Sequence, residues 1–170
     1  VYKRQYYDNM LRYADFMIRR AGKWGGIFAK PMHLSHKNRK YAVNCGKSYG
    51  EWAEPNDVMA FHGIDFFIPH PEESTAYTYF TLKRVLEIAS ILGKPETPQL
   101  ARIREYSKGA KRAYQELVTK DGYSLDTDRQ AKLVRPLYMG LLTPEQETFA
   151  RKRLIAALDH YGSVSYTHLT

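Results

Sequence analysis

The fold class follows from residues 71–93, which read PEESTAYTYFTLKRVLEIASILG. Pro71 and the acidic residues after it favour the start of a helix, because proline fits the first turn and carboxylates complement the positive end of the helix dipole. Gly93 ends the element. Apolar residues continue the helix between these limits: Phe80, Leu82, Val85, Leu86, Ile88, Ala89 and Leu92.

Two further helices are predicted on either side of this stretch. The first covers Tyr6–Ala21, where apolar residues recur at three- and four-residue spacing, and it stops at Gly22. The second begins at Thr97 and Pro98, which act as N-cap and first-turn proline. Its expected buried face consists of Leu100, Ile103, Tyr106, Ala110, Ala113, Tyr114 and Leu117.

Two more helices complete the pattern. One spans about 128–142 and contains Pro136, which predicts a kink or a late start. The other opens with Thr143-Pro144-Glu145-Gln146, which has the spacing of a capping box. We expect this last helix to bury four residues: Phe149, Leu154, Ile155 and Leu158.

Residues 22–72 lack any sustained period, and glycine and proline punctuate them. This segment holds both tryptophans, four of the six histidines and the only cysteine. Long ordered loops of this kind tend to be functional. Short connections between the helices elsewhere predict antiparallel helix hairpins. The fold class is therefore all-α, a helical bundle or toroid with one long irregular loop at 22–72.

The totals exclude several classes of protein. The chain has 170 residues, 44% hydrophobic and 14% aromatic, so it does not have the composition of a disordered protein. No apolar run approaches the roughly 20 residues that span a bilayer, so we expect no membrane partner. The net charge is +8, and its densest cluster is His36-Lys37-Asn38-Arg39-Lys40. We interpret the cations as a solvated surface and expect no nucleic-acid partner, with nucleic-acid binding as the third-ranked function.

The segment from Ser48 to Pro55, which reads SYGEWAEP, is the most informative for function. An exposed Trp52 can stack on the apolar face of a sugar ring, while Glu51 and Glu54 accept hydrogen bonds from its hydroxyls. The alternative is that Trp52 fills the core and both glutamates are solvated. Asp57 follows closely, and we predict that Glu51, Trp52, Glu54 and Asp57 bind substrate.

Glycoside hydrolysis needs two carboxyl groups, one protonated and one ionised, on either side of the scissile bond. The carboxylates in and beside the loop are Glu51, Glu54, Asp57, Asp65, Glu72 and Glu73. Sequence spacing does not establish the distance between any two of them. Glu51 and Glu54 could act as such a pair, but orienting sugar hydroxyls is at least as good an explanation.

Other chemistry has weaker support. His33, His36, Cys45, His62 and His70 could ligate a metal, but structural zinc sites usually show tighter paired spacing with more cysteine. We therefore predict no metal and no cofactor. Cys45 could also pair with a histidine as a nucleophile, although a lone buried cysteine is commoner.

The segment Asp126-Thr127-Asp128-Arg129-Gln130 precedes a predicted helix. Either aspartate could cap that helix. Alternatively, Arg129 or Gln130 points into the mouth of a helical barrel.

Tyr49-Gly50-Glu51-Trp52-x-x-Pro55, followed by Pro71-Glu72-Glu73-Ser74-Thr75-Ala76-Tyr77, resembles the catalytic domain of bacterial α-L-rhamnosidases. That family carries Gly-Asp-Trp shortly before Pro, and then a helix that opens with a Thr-Ala-Tyr-like element. Asp126–Ala131 and Gly140–Glu145 resemble the segment that comes next. The likeness covers roughly residues 6–162, and Glu51 stands where the family usually has Asp.

The resemblance implies part of an (α/α)6 barrel and metal-independent, inverting hydrolysis of terminal α-L-rhamnosides, with Trp52 in the rhamnose subsite. The stretches that carry the general acid and general base in the family are not found here. We therefore expect no catalytic residue within this chain, an inactive fragment, and the remainder of the same polypeptide as its partner. The alternative function is a helical carbohydrate- or protein-binding module without catalysis.

The two ends, residues 1–5 and 163–170, resemble translated adapter sequence. We expect both to be non-native and residues 6–162 to form the partial barrel domain.

Overall fold

The computed structural model describes residues 6–23, 32–45, 69–120 and 123–163. Every regular element within these ranges is a helix, which confirms the all-α class. The helices are α1 (Tyr7–Arg20), α2 (His36–Arg39), α3 (Pro71–Ile91), α4 (Pro98–Leu117), α5 (Gln130–Met139) and α6 (Pro144–Tyr161). None of these described helices is long and apolar enough to cross a membrane.

Helices α3 and α4 form the central hairpin. Proline occupies the first turn of both, and the Thr97 side chain caps α4 by accepting from the Leu100 amide at 3.2 Å. Helix α1 packs against this hairpin. The predicted buried face of α4 is confirmed, because Tyr106 is half-buried and its other members are buried.

The second hairpin consists of α5 and α6. Its capping box is confirmed, because the Thr143 amide donates to Gln146 Oε1 at 3.1 Å and the Gln146 amide donates to Thr143 Oγ1 at 3.2 Å. Helix α5 starts two residues later than predicted and holds Pro136 inside it. It ends at Gly140, whose φ of 68° is a left-handed conformation that glycine adopts at low cost.

The predicted buried face of α6 is largely wrong. Phe149, Ile155 and Leu158 are 46%, 60% and 37% exposed, and Leu154 alone of the four packs partly against the core. Helix α6 instead buries Ala150 and Ala157. Small side chains allow two helices to approach closely, so the alanine stripe faces the neighbouring helices and the large apolar residues point away.

The segment at 22–72 is less irregular than predicted. Among its described residues, 32–45 include one helical turn, α2, and α3 already begins at Pro71. Residues around α2 dock on α4, where Leu34, Tyr41 and Ala42 are buried against Ala113 and Leu117. This part of the predicted loop therefore belongs to the packed core.

Hydrogen bonds reinforce this docking. The Glu116 carboxylate on α4 accepts from the Ser35 amide at 2.6 Å, from Ser35 Oγ at 2.8 Å and from Asn38 Nδ2 at 2.6 Å. Tyr41 lies over Gly109, and its hydroxyl donates to Glu105 at 2.7 Å. These contacts fix residues 32–45 against α4 of the central hairpin.

Candidate functional site

The predicted substrate-binding residues Glu51, Trp52, Glu54 and Asp57 all lie outside the described residues. Their assignment therefore stays a prediction. The residues that flank them on each side are described. On one side, the Val43 amide donates to Thr75 Oγ1 at 3.0 Å, within the second turn of α3. On the other side, Pro69 and His70 lead directly into α3. Both flanks of residues 46–68 therefore meet at the amino-terminal end of α3.

A cluster of charged side chains occupies that end of α3. Glu72 is 6% exposed, and its Oε1 lies 3.4 Å from Lys132 Nζ on α5 and 3.9 Å from His70 Nδ1. Glu73 Oε1 lies 3.6 Å from an Arg135 guanidinium nitrogen. Two carboxylates on α3 thus face two cations on α5. Charges removed from water in this way need partners, which explains the pairing across the two helices.

Arg135 is the more buried of the two cations. Burial lowers the pKa of Arg135 to about 10, so the guanidinium still carries its charge at neutral pH. The group also lies 5.7 Å from the centroid of the Tyr77 ring. Because guanidinium is planar and weakly hydrated, it tolerates such a site better than an ammonium would.

Two phenols lie close enough to Glu72 to sense its charge. Burial and, to a smaller extent, the Glu72 charge raise the pKa of Tyr123 to about 12, and the same two causes raise the pKa of Tyr114. Both side chains are therefore neutral hydroxyls at physiological pH. Within the described ranges, neither Glu72 Oε2 nor the Tyr123 hydroxyl has a hydrogen-bond partner, although both atoms are buried. The cluster therefore offers a free carboxylate oxygen and a free hydroxyl, which are groups that bind hydroxyl-bearing ligands or water.

The aspartates before α5 do not cap it, so that prediction is wrong. The helix has Arg129 at its N-cap, without a side-chain capping bond. Asp126 and Asp128 instead form ion pairs with Arg153 of α6, at 3.1 Å and 2.7 Å. The Arg153 guanidinium contacts both carboxylates. The two aspartates therefore connect the segment before α5 to α6 and do not cap α5.

Gln130 is buried at the start of α5. Its Nε2 donates to the Gly162 carbonyl at 2.7 Å, which ties the start of α5 to the end of α6. The amide therefore has a structural contact within the hairpin.

The metal hypothesis gains no support from the described ranges, where no three His, Cys, Asp or Glu side chains converge. His62 lies outside them. Cys45 is half-buried, and its thiol donates to the Arg20 carbonyl at 3.3 Å.

Sequence reasoning identified Glu72 and Glu73 as carboxylates beside the loop but missed their partners. Lys132 and Arg135 lie three residues apart on a short, otherwise largely apolar helix. Two cations at that spacing share one helix face. The matching signal is the pair of carboxylates at the start of α3. The match becomes visible only once α3 and α5 are known to be neighbours.

Helices packed in pairs, within the ranges that the structure describes, define an all-α helical-hairpin protein. The model for the bacterial alpha-L-rhamnosidase 6 hairpin glycosidase domain matches residues 2–167, and the chain belongs to this family. Neither a curated protein nor a solved structure matches the chain. The match includes most of both ends that the sequence suggested are non-native, and that suggestion stays a prediction.

Proposed function

We propose that this chain is part of an α-L-rhamnosidase-type glycoside hydrolase that removes terminal α-L-rhamnose from glycosides with inversion. Membership of the rhamnosidase six-hairpin family over residues 2–167 carries the proposal. The polar cluster at the start of α3 supports it, because a buried, charge-balanced carboxylate beside neutral phenols is suited to a hydroxyl-rich ligand.

In this proposal, Trp52 stacks on the apolar face of the rhamnose ring, and Glu51, Glu54 and Asp57 accept hydrogen bonds from sugar hydroxyls. Among the described residues, the Glu72 carboxylate and the Tyr123 hydroxyl each have a buried oxygen without a hydrogen-bond partner, and in this proposal they add to the polar lining of the site. The Lys132 ammonium lies 3.4 Å from the Glu72 carboxylate and so helps to hold it in position.

Inversion requires an acid and a base about 6.5–9.5 Å apart, with room for a water between them. The stretches in which the family resemblance places these two groups do not occur in the 170 residues. We therefore propose that the chain by itself binds sugar without turning it over. A turnover rate within an order of magnitude of the parent enzyme's would contradict this.

The function is tested on the unbroken parent gene product. We would assay aryl α-L-rhamnoside beside aryl α-L-fucoside, α-D-mannoside and β-D-glucoside. Selective release from the rhamnoside is expected. Trp52→Ala should raise KM or abolish release, whereas Trp52→Phe keeps a ring for stacking and should retain more activity.

Each other outcome has a defined meaning. Release from a different glycoside would support a hairpin glycosidase that acts on a sugar other than rhamnose. Release from none of them, with sugar binding intact, would replace the enzyme by a carbohydrate-binding module. Equal activity of Trp52→Ala and the wild type would remove Trp52 from the subsite.

A further inference from the structure

A cleft of about 590 Å³ lies beside α2, on the side of the central hairpin where residues 32–45 dock. Its lining is strongly basic. His36, Lys37, Arg39 and Lys40 are exposed along it, and Gly22 and Tyr41 complete it. The cluster that looked like an ordinary solvated charge run in the sequence therefore lines a concave surface.

The backbone that displays these cations is held firmly. Glu116 binds Ser35 and Asn38 through three hydrogen bonds, one residue before α2 and inside it. Tyr41, directly after Lys40, is 5% exposed and lies against Gly109 of α4. Cations on a fixed backbone lose less conformational freedom on binding than cations on a mobile loop.

The positive charge of the cleft is only partly neutralised. Lys40 pairs with Glu105 at 3.3 Å, but in the part of the chain that the structure describes neither Lys37 nor Arg39 forms an ion pair. Arg112 of α4 does not line the cleft, but its guanidinium lies 5.7 Å from the centroid of the Tyr41 ring and adds to the positive charge nearby. Clefts lined by one sign of charge focus the electric field and concentrate ligands of opposite charge.

The cleft is close to the site described above. Lys40 precedes Val43 by three residues, so their Cα atoms are at most about 11 Å apart. Val43 is bonded to Thr75 in the second turn of α3. Three residues of backbone therefore connect the cleft to the first turns of α3, where the polar cluster of Glu72 lies.

We infer that this cleft binds an acidic glycan, through carboxylate or sulfate groups that pair with Lys37 and Arg39. The choice of a glycan rests on the proposed function, in which the acidic units are the part of the substrate beyond the rhamnose. Single-stranded nucleic acid is the less suitable ligand, because such strands are held by stacking on several exposed rings. Of the two rings that line this cleft, Tyr41 is buried and only His36 is exposed.

Binding is tested directly with the 170-residue chain. The carboxylate probe is fluorescent oligogalacturonate, with its methyl ester as the neutral control. The sulfate probe is dextran sulfate, with dextran as its neutral control. Lys37→Gln/Arg39→Gln should weaken binding of an acidic probe roughly tenfold at low salt and reduce its salt dependence.

The matched control is Arg12→Gln/Lys152→Gln, which makes the same change in net charge at exposed positions on α1 and α6. This control should bind like the wild type. Equal losses in both double variants, or equal binding of acidic and neutral probes, would overturn the inference. Tighter binding of a DNA oligonucleotide or of anionic vesicles, with the same dependence on Lys37 and Arg39, would overturn it in favour of those partners.

Kinetics of the parent enzyme separate this inference from the proposed function. With a rhamnoside that carries an adjacent uronate, Lys37→Gln/Arg39→Gln should raise KM several-fold at unchanged kcat. With a neutral aryl rhamnoside, both constants should stay unchanged. If the parent enzyme hydrolyses no rhamnoside, the proposed function is refuted, whereas binding of the acidic probe would still support the inference about the cleft. If the acidic probes do not bind while the parent enzyme hydrolyses rhamnosides, only the inference about the cleft is refuted.

Discussion

Glu116 shows how much one residue contributes to this fold. Its carboxylate accepts three hydrogen bonds from Ser35 and Asn38, and so joins a segment that is distant in sequence to α4. We expect Glu116→Gln to lower the free energy of unfolding by roughly 1–3 kcal/mol, since an amide accepts at one oxygen only. Urea unfolding measures this. Glu147→Gln, which loses an exposed ion pair with Arg151, should cost less than about 1 kcal/mol.

The same carboxylate predicts a dependence on pH. Burial raises the pKa of Glu116, but hydrogen bonds from Asn38 and Ser35 lower it more, and the net shift is downward. A lowered folded-state pKa means that the stabilisation is fully present above the unfolded-state value, about 4.3, and is lost as the pH falls through the folded-state value. The stability gap between wild type and Glu116→Gln should therefore narrow in acid. A constant gap from pH 7 to about 3 would be inconsistent with this.

Glu72 and Lys132 form the second residue-scale case. Glu72→Gln leaves the Lys132 ammonium partly buried without its closest carboxylate, and should destabilise the protein by about 3 kcal/mol. The double variant Glu72→Gln/Lys132→Gln removes both charges and should cost less than the two single variants added together. A double-mutant cycle from chemical unfolding measures the coupling. Additive costs would show that the two groups do not interact.

At the scale of elements, Gly109 allows Tyr41 to lie directly on α4. A Cβ at Gly109 would come within 2.3 Å of the Tyr41 ring, so the ring and the 32–45 segment would have to move. Although alanine favours a helix over glycine by about 1 kcal/mol, Gly109→Ala should destabilise the protein by about 1–2 kcal/mol. In a Tyr41→Ala background the same change should become neutral or stabilising. Thermal unfolding of the four variants tests this change of sign.

The sequence predicts elements best where local chemistry decides. Thr97 and Thr143 mark helix starts through their caps, and the structure has helix starts at both. The predicted helix at about 128–142 instead ends earlier, at Gly140. Periodicity alone failed for α6, because Phe149 and Ile155 are as apolar as core residues and only the position of the neighbouring helix decides which stripe is buried.

The same limit applied to the polar residues. Asp126 and Asp128 satisfy the local rule for capping, yet Arg153 from another helix engages both of them. For the candidate site, the sequence named Glu72 and Glu73 only among the carboxylates in and beside the loop, and the predicted substrate-binding residues lie outside the described residues. The Glu72–Lys132 pair depends on the contact between α3 and α5, which no local pattern encodes.

At the scale of the whole molecule, many large apolar side chains face outward. Tyr138 is 74% exposed, Ile155 60% and Tyr13 53%. A groove of about 440 Å³ between α1 and α3 adds Met10, Phe80 and Ile88, which are partly exposed, to this surface. Apolar patches of this kind promote association.

We therefore expect the 170-residue chain to self-associate and to bind a hydrophobic dye. Sedimentation velocity over a concentration series measures this association. Tyr138→Ser/Ile155→Ser should shift the distribution towards monomer, whereas Thr148→Ser, a polar change on α6, should not. A clean monomer with a cooperative thermal transition and no dye binding would contradict the expectation.

The convergence of Val43 and His70 on the first turns of α3 also bears on how such a protein changes over time. Thr75, which binds Val43, lies four residues after Pro71, or about 6 Å along the helix axis. A loop whose two ends are that close can be lengthened cheaply, since doubling its length costs only about 0.6 kcal/mol in closure entropy. Residues 46–68 can therefore be exchanged, shortened or grafted while the helices keep their packing. Under the proposed function, substrate preference can then change in this segment without a redesign of the helical hairpins.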